Sequence, residues 1–369
     1  MQLSKGFLAF VATMLAAGPL LGAEREATGR WSFQLELTSR YDSNITQLSD
    51  TDRDRLQDPA CTSTPLCASR YRIESSDDFI VVPSARLGWS HRSAREVETS
   101  LRGEARANRY ARNSIKDYET YALRLSQELT AARRYETTFV LRAEAMPGFY
   151  LRELSVPEAT RVQGSTVRDS AQYSSVDYEV ALRQVLVPRH LEAEIARKRD
   201  SRDYDSPFDE RDGDLSGWEA ELTWSPAGSR AVSLRAGYRS ESYDAAGDRP
   251  ETIAGEPDIS SDRQAVTAGF SFSWVRRGRS GWLSFDVERE ARDFLSRDPT
   301  DSFHFDREDT RTEERLSFRQ PLGDRLYIEA GLEHERNDSD LLPGASSPTG
   351  DEVTDFTRDV VSATIGWRI

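Results

Sequence analysis

The chain has 369 residues, a formal net charge of -14 and only two cysteines. Hydrophobic residues make up 37% of it and charged residues 30%, thin for an ordinary buried core but workable if apolar side chains are needed only at every second position. The acidic balance, with no basic stripe, argues against general nucleic-acid binding. From the N-terminus, Lys5 followed by GFLAFVATMLAAGPLLGA has the charge, apolar run and small-residue end of a secretory signal, with cleavage expected after about Ala23. Gly18-Pro19 breaks this run against its use as a retained anchor, and no cysteine follows it to carry a lipid. Beyond it no apolar stretch approaches the roughly 20 residues of a membrane helix. The expected division is therefore 1–23 as signal and 24–369 as one β domain, crossing a membrane, if at all, with strands.

The first strand is WSFQLELTSRY. Trp31, Phe33, Leu35, Leu37 and Tyr41 share one face, and Gln34, Glu36, Thr38 and Arg40 the other. A long acidic connector follows. It holds Cys61 and Cys67, expected to form a disulfide staple once exported to an oxidising compartment. VVPSARLGWS, VETSLRGEARA, YALRLSQEL, YETTFVLRAEA and VDYEVALRQ repeat the alternation. So do LEAEIA, WEAELTW, VSLRAGYR, VTAGFSFSW and LSFDVERE, and RLSFRQPL, RLYIEAGLEH and VVSATIGWRI close the series of about fourteen period-two segments.

Short connectors (HRSAR, TAARR, VLVPR, SPAGS, VRRGRS, PLGDR) take turns with long ones around 42–78, 151–172, 200–214, 243–263, 293–310 and 337–355; the one near 112–117 is intermediate. This is the layout of an all-β, transmembrane up-and-down antiparallel barrel of about 14 strands, with turns at one end and loops at the other. A soluble sandwich also has period-two strands. Three features favour the barrel: segments of about ten residues, an unusually charged polar face, and aromatics near strand ends (Trp31, Tyr41, Trp89, Tyr121, Tyr135, Trp224, Trp274, Trp367) as in interfacial girdles. Pro83, inside a strand with two neighbours, is expected at a bulge, and Pro147 and Pro321 near segment ends.

In such a barrel the charged face encloses the lumen. Arg86, Arg102, Arg106, Arg124, Arg142, Arg183, Arg235, Arg239, Arg315, Arg319 and Arg368 are expected to line it, with Glu36, Glu104, Glu128, Glu144, Glu179, Glu194, Glu219, Glu221, Glu288, Glu329 and Glu333. They form either a water-filled passage selecting polar solutes or ladders that only fill and stiffen a narrow interior. Fourteen strands favour a passage, because eight already give an interior that side chains can fill. DERDGD at 209–214 and Asp50, Asp52 and Asp54 lack the ligand spacing of a calcium loop. No zinc spacing or phosphate loop is present, so no metal or cofactor is expected.

The opening strand with Tyr41-Asp42-Ser43-Asn44, and the closing VVSATIGWRI, resemble Gram-negative outer-membrane β-barrel proteins. YDSN at the end of a first strand resembles barrels associated with exopolysaccharide or exosortase systems, and the barrel domain of surface lipoprotein assembly modifiers, whose helical repeat domain is absent. The last strand, with Ala363, Ile365, Trp367 and Ile369 on one face, resembles the signal read by the barrel assembly machinery, although members usually end in an aromatic residue. The resemblance implies an outer-membrane location, contact with its lipid, and a hydrophilic solute or polysaccharide as cargo. The alternative is a non-conducting structural or assembly barrel partnering a periplasmic complex. Ser43-Asn44 is also similar to the Ser-Asn of outer-membrane phospholipases, but Asp42 stands where their histidine-bearing stretch belongs, and no catalytic residues are expected.

Overall fold

The computed structural model describes residues 28–47, 49, 53, 74–94, 96–132, 136–155, 168–205, 208, 211–226, 231–246, 258–276, 278–297, 304–340 and 355–369. The alternating segments form fourteen strands: β1 (Thr28–Asp42), β2 (Asp78–Ala94), β3 (Val97–Tyr110), β4 (Tyr118–Ala132), β5 (Thr137–Ser155), β6 (Arg168–Val187), β7 (Leu191–Tyr204), β8 (Gly213–Trp224), β9 (Val232–Ala245), β10 (Ser261–Arg276), β11 (Arg279–Phe294), β12 (Glu308–Pro321), β13 (Leu326–Asp340) and β14 (Phe356–Arg368). Each pairs antiparallel with its sequence neighbours, and β1 pairs with β14 to close the barrel. Closure is the physical point of this sequence. In hydrocarbon every unpaired backbone N–H or C=O costs several kcal/mol, and a closed ring pairs the strands on both edges.

The period of two sorts the side chains. Leu35 and Leu37 on β1, Leu222 on β8, Phe270 and Phe272 on β10 and Ile365 on β14 are exposed apolar residues, and Trp31 is 69% exposed. Register stacks like with like: Phe270 lies between Leu234 of β9 and Phe285 of β11, and Trp31 faces Trp89. The charged face lies on the other side. Its ion pairs reach across intervening strands, from Arg235 on β9 to Asp286 on β11 and from Arg142 on β5 to Glu194 on β7. Side chains two strands apart converge on the concave side of a curved sheet, so the ionic face is the inner one.

Close approach favours glycine at several strand positions, Gly269 and Gly366 among them. A Cβ at Gly269 would sit 2.4 Å from Asp286 Oδ1, in the path of the Arg235–Asp286 pair. At Gly366 of β14 it would sit 2.1 Å from Cζ of Tyr327, whose hydroxyl crosses from β13 to donate to Glu36 on β1. At the turn end, Gly278 joins β10 to β11 with φ 74°, a backbone conformation open to glycine without steric cost.

Pro321 ends β12 as expected, but Pro83 differs from expectation. Pro83 pairs in register with Leu37 of β1. On the β3 side the ladder runs from Val81↔Arg109 to Ser84↔Arg106 without a register shift and simply omits Val82 and Pro83. The missing N–H is absorbed as a gap, not as an inserted residue. The bulge forms instead around Pro147, where the β5–β6 register shifts between Met146 and Phe149. There β5 and β6 run past the membrane-length segments into the stretch expected as loop 151–172, reaching Ser155 and Arg168. The signal stretch 1–23, Tyr135, Cys61, Cys67, Asp50, Asp52 and Asp54 lie outside the described residues.

Candidate functional site: the charged lumen and its two rims

The inward face is bound into an ion-pair belt. Arg86 on β2 bridges Glu36 of β1 (3.1 Å) and Glu104 of β3 (2.9 Å), and Glu104 also accepts from Arg106. Arg124 pairs with Glu144, and Arg142 with Glu179. Arg183 meets Glu194 at 2.8 Å, Glu192 at 3.6 Å and Glu128 at 4.0 Å. Lys198, not expected from the sequence pattern, holds Glu219 at 2.5 Å. Arg239 reaches Glu288 at 2.8 Å and Glu290 at 3.1 Å. Arg315 joins Glu313 and Glu333, and Arg319 meets Glu329 at 2.6 Å. Glu221 accepts from the Thr223 hydroxyl at 3.1 Å. Arg102 stands apart: it faces Gly88 and Arg124 in register and no carboxylate lies within ion-pair distance among the described residues.

The ladder geometry explains why the belt lies against the wall. Arginine and glutamate at matched heights on neighbouring strands are cross-strand neighbours, and an ion pair holds both stems sideways. Space remains between them. One cavity of about 410 Å³ is lined by Glu36, Arg86, Arg106, Arg315, Arg319 and Arg358 among others. A second, of about 620 Å³, opens at the end where β14 stops.

At the loop end, Tyr41-Asp42-Ser43-Asn44 forms a clasp over the β1–β14 seam. Asp42 is 2% exposed and takes a two-armed contact from Arg358 of β14, Nη2 at 2.7 Å and Nε at 3.0 Å. Arg358 Nη1 also reaches Glu335 of β13 at 3.0 Å, and Arg311 of β12 reaches the same carboxylate at 2.8 Å. Ser43 N–H donates to Asp359 C=O at 2.9 Å, and Asp359 N–H donates to Ser43 Oγ at 2.7 Å. Asn44, fully buried, donates from Nδ2 to Thr357 C=O at 3.1 Å. Sequence pattern singles out neither Arg358 nor Glu335, and names Asp42 only as a member of YDSN. The signal available was YDSN itself, four polar or amphipathic residues at a strand end. Its Ser43 hydroxyl is engaged with backbone, while His334 Nδ1 lies 2.7 Å from Asp359 Oδ1 on the outer face.

A second hub ties β2 to the β3–β4 connector. Asp78, 1% exposed, accepts from the N–H groups of Ala111, Arg112 and Asn113. Asn113 in turn accepts from Glu74 N–H and donates to Ser75 C=O. Beside it, Asp77 receives the hydroxyls of Ser75 and Tyr41 and the guanidinium of Arg112. The Ser75 hydrogen bond, helped by Tyr41 and Arg112 against desolvation, holds the Asp77 carboxyl below its ordinary value. A lowered folded value means the stabilisation is full above the ordinary carboxylate pKa and is lost as pH falls through the folded one. Pepsin cleavage within 74–79, normalised at each pH to an unfolded peptide, is expected to rise in the native barrel as pH falls below the ordinary carboxylate range and to change little in Asp77→Asn; equal pH profiles refute the link. Of the acidic DERDGD stretch, Asp212 accepts from Tyr204 N–H at 2.6 Å and Asp214 pairs with Arg199 at 3.1 Å; both serve the rim of β7 and β8, and Asp209 and Glu210 lie outside the described residues.

No family model and no curated protein matches the chain. Among solved structures, it is similar to a bacterial polysaccharide outer membrane secretin at 11% identity and TM-score 0.43, over 91% of this chain and 98% of that one. It is similar to an anion-selective porin from Comamonas acidovorans at 8% identity and TM-score 0.41, over 93% and 100% of the two chains. The outer membrane protein OprD from Pseudomonas aeruginosa matches at 9% identity and TM-score 0.41, over 92% and 94%.

Proposed function

We propose that this chain is an outer-membrane, porin-like channel that passes hydrophilic solutes, or an exopolysaccharide chain, by passive diffusion through its charged lumen. The observation that carries the reading is an inner wall whose ions are paired sideways, leaving cavities of about 410 and 620 Å³ within a ring of fourteen strands. Apolar exposed side chains on the other face match lipid, and a ring of this size is wider than the eight-stranded one that side chains fill. In this reading residues 1–23 direct export and are removed, the last strand is read by the barrel assembly machinery, and the long connectors face the outside. Incorporation of the refolded protein into planar bilayers is expected to give discrete, ohmic current steps. A correctly folded barrel that inserts without current steps contradicts the channel and leaves a structural barrel partnering a periplasmic secretion or envelope complex.

A further inference from the structure

The turn end of the lumen differs from the belt above it. Its cavity of about 620 Å³ is floored by Ser32 and Gly88, which face each other on β1 and β2. A Cβ at Gly88 would come within 2.5 Å of Ser32 Oγ, so a larger residue there would displace that hydroxyl. Around this small floor stand Arg86, Arg102, Arg325 and Arg368, with Asp324 the one acidic side chain in the lining. Arg86 is committed to Glu36 and Glu104. Arg102, Arg325 and Arg368 have no carboxylate within ion-pair distance among the described residues. Arg368 lies next to Arg325, donating its backbone N–H to Arg325 C=O at 2.8 Å, and its guanidinium lies 6.0 Å from the Tyr327 ring centroid.

The acid at this end is already engaged. Asp324 is exposed and paired with Arg279 at 3.1 Å, on the β11 side. The backbone carbonyl of Ile369 accepts from Phe33 N–H at 3.0 Å. Three guanidiniums with no ion-pair partner among the described residues, beside an Asp324 turned to Arg279, are a different arrangement from the paired belt. Guanidinium forks match the oxygens of carboxylate and phosphate, and low-dielectric walls focus their field into the opening.

We propose that this niche binds an anionic oxygen group, a phosphate or a sugar carboxylate, at the turn-end mouth of the lumen, with Arg102 and Arg368 as its principal ligands and Arg325 at its edge. The proposal rests on the channel reading for its role, as the first or last contact of a passing anion, but not for its existence. The test is a phosphorus NMR titration of inorganic phosphate with the detergent-refolded full chain. Variants enter it only after their heat-dependent gel shift shows an intact barrel. Saturable line broadening is expected for the native protein and for Arg336→Ser at the opposite rim. In the Arg102→Ser, Arg368→Ser double variant the midpoint should rise by about tenfold or more. Glucuronate is expected to displace phosphate and glucose is not. No saturable broadening in the native barrel, equal binding by the double variant, or displacement by glucose overturns the proposal. Planar-bilayer recording separates the two readings: phosphate binding by a barrel without current leaves the niche standing and removes the channel.

Discussion

Replacing Arg358 with alanine is expected to destabilise the barrel by about 3–5 kcal/mol, because it leaves buried Asp42 without its guanidinium and Glu335 with Arg311 alone. Asp42 and Glu335 are 2% and 0% exposed, and Arg358 holds both across the seam. The β1–β14 ladder runs only from Gln34↔Arg368 to Asp42↔Val360, whereas β1 pairs with β2 over its whole length. The seam therefore leans on its clasp. Urea midpoints of heat-modifiable barrel in detergent measure the loss. Arg358→Lys, which keeps the charge but not the two-armed geometry, is expected to fall between native and alanine. The double replacement Asp42→Asn, Arg358→Met, which leaves Glu335 paired with Arg311, is expected to recover much of the deficit, since a missing pair can be nearly neutral where a broken one is not. An alanine variant as stable as native would remove the clasp from the account.

The second large effect separates the two faces within one dipeptide. Phe270 faces outward between Leu234 and Phe285, while the hydroxyls of Ser271 and Ser233 meet at 2.7 Å on the inner face. Phe270→Arg is expected to cost about 2–4 kcal/mol, the price of a guanidinium on the lipid face near mid-height. Ser271→Arg, one residue along, meets water and the carboxylates of the belt and is expected to fold with little loss while lowering current through the lumen. Membrane-insertion yield and urea midpoints of the two variants decide it. Comparable destabilisation by both contradicts the assignment of faces.

How much of this was legible before the fold is clear from particular residues. Alternation alone assigns Leu35, Leu222, Phe270 and Ile365 to one face and Glu36, Glu221 and Arg235 to the other, because a strand's side-chain period is fixed at two. Strand ends at Asp42 and Asp78 also agree, whereas β5 and β6 extend into the connector expected at 151–172. What sequence pattern does not carry is which partner each charge finds. Arg183 stands near three glutamates, and choosing among them requires the register. The clasp was out of reach for a stronger reason. YDSN reads as the end of a strand and as a family resemblance, but Arg358 and Asp359 are more than 300 positions away, and only closure of the ring brings them over β1. The prolines fall between. Sterics say that proline cannot donate to the ladder, but a gap at Pro83 and a bulge at Pro147 satisfy that rule equally, and neighbouring strands decide which occurs.

The same register explains why Arg102 escapes the belt. It faces Gly88 on one side and Arg124 on the other, so neither neighbour offers a carboxylate, and Arg124 is already held by Glu144. Pattern reading placed Arg102 among the lining residues without distinguishing it; its difference lies in partners, not position.

Nitroxide labels placed one at a time along β10 from Val266 to Ser273, leaving Gly269 untouched, in the Cys61→Ser, Cys67→Ser background and in lipid vesicles, address the assignment of faces most directly. Val266, Ala268, Phe270 and Phe272 should relax with oxygen dissolved in the acyl chains, and Thr267, Ser271 and Ser273 with a water-soluble nickel reagent. An alternation of opposite phase, or labels at all seven positions shielded from both reagents, contradicts a wall with lipid outside and water within.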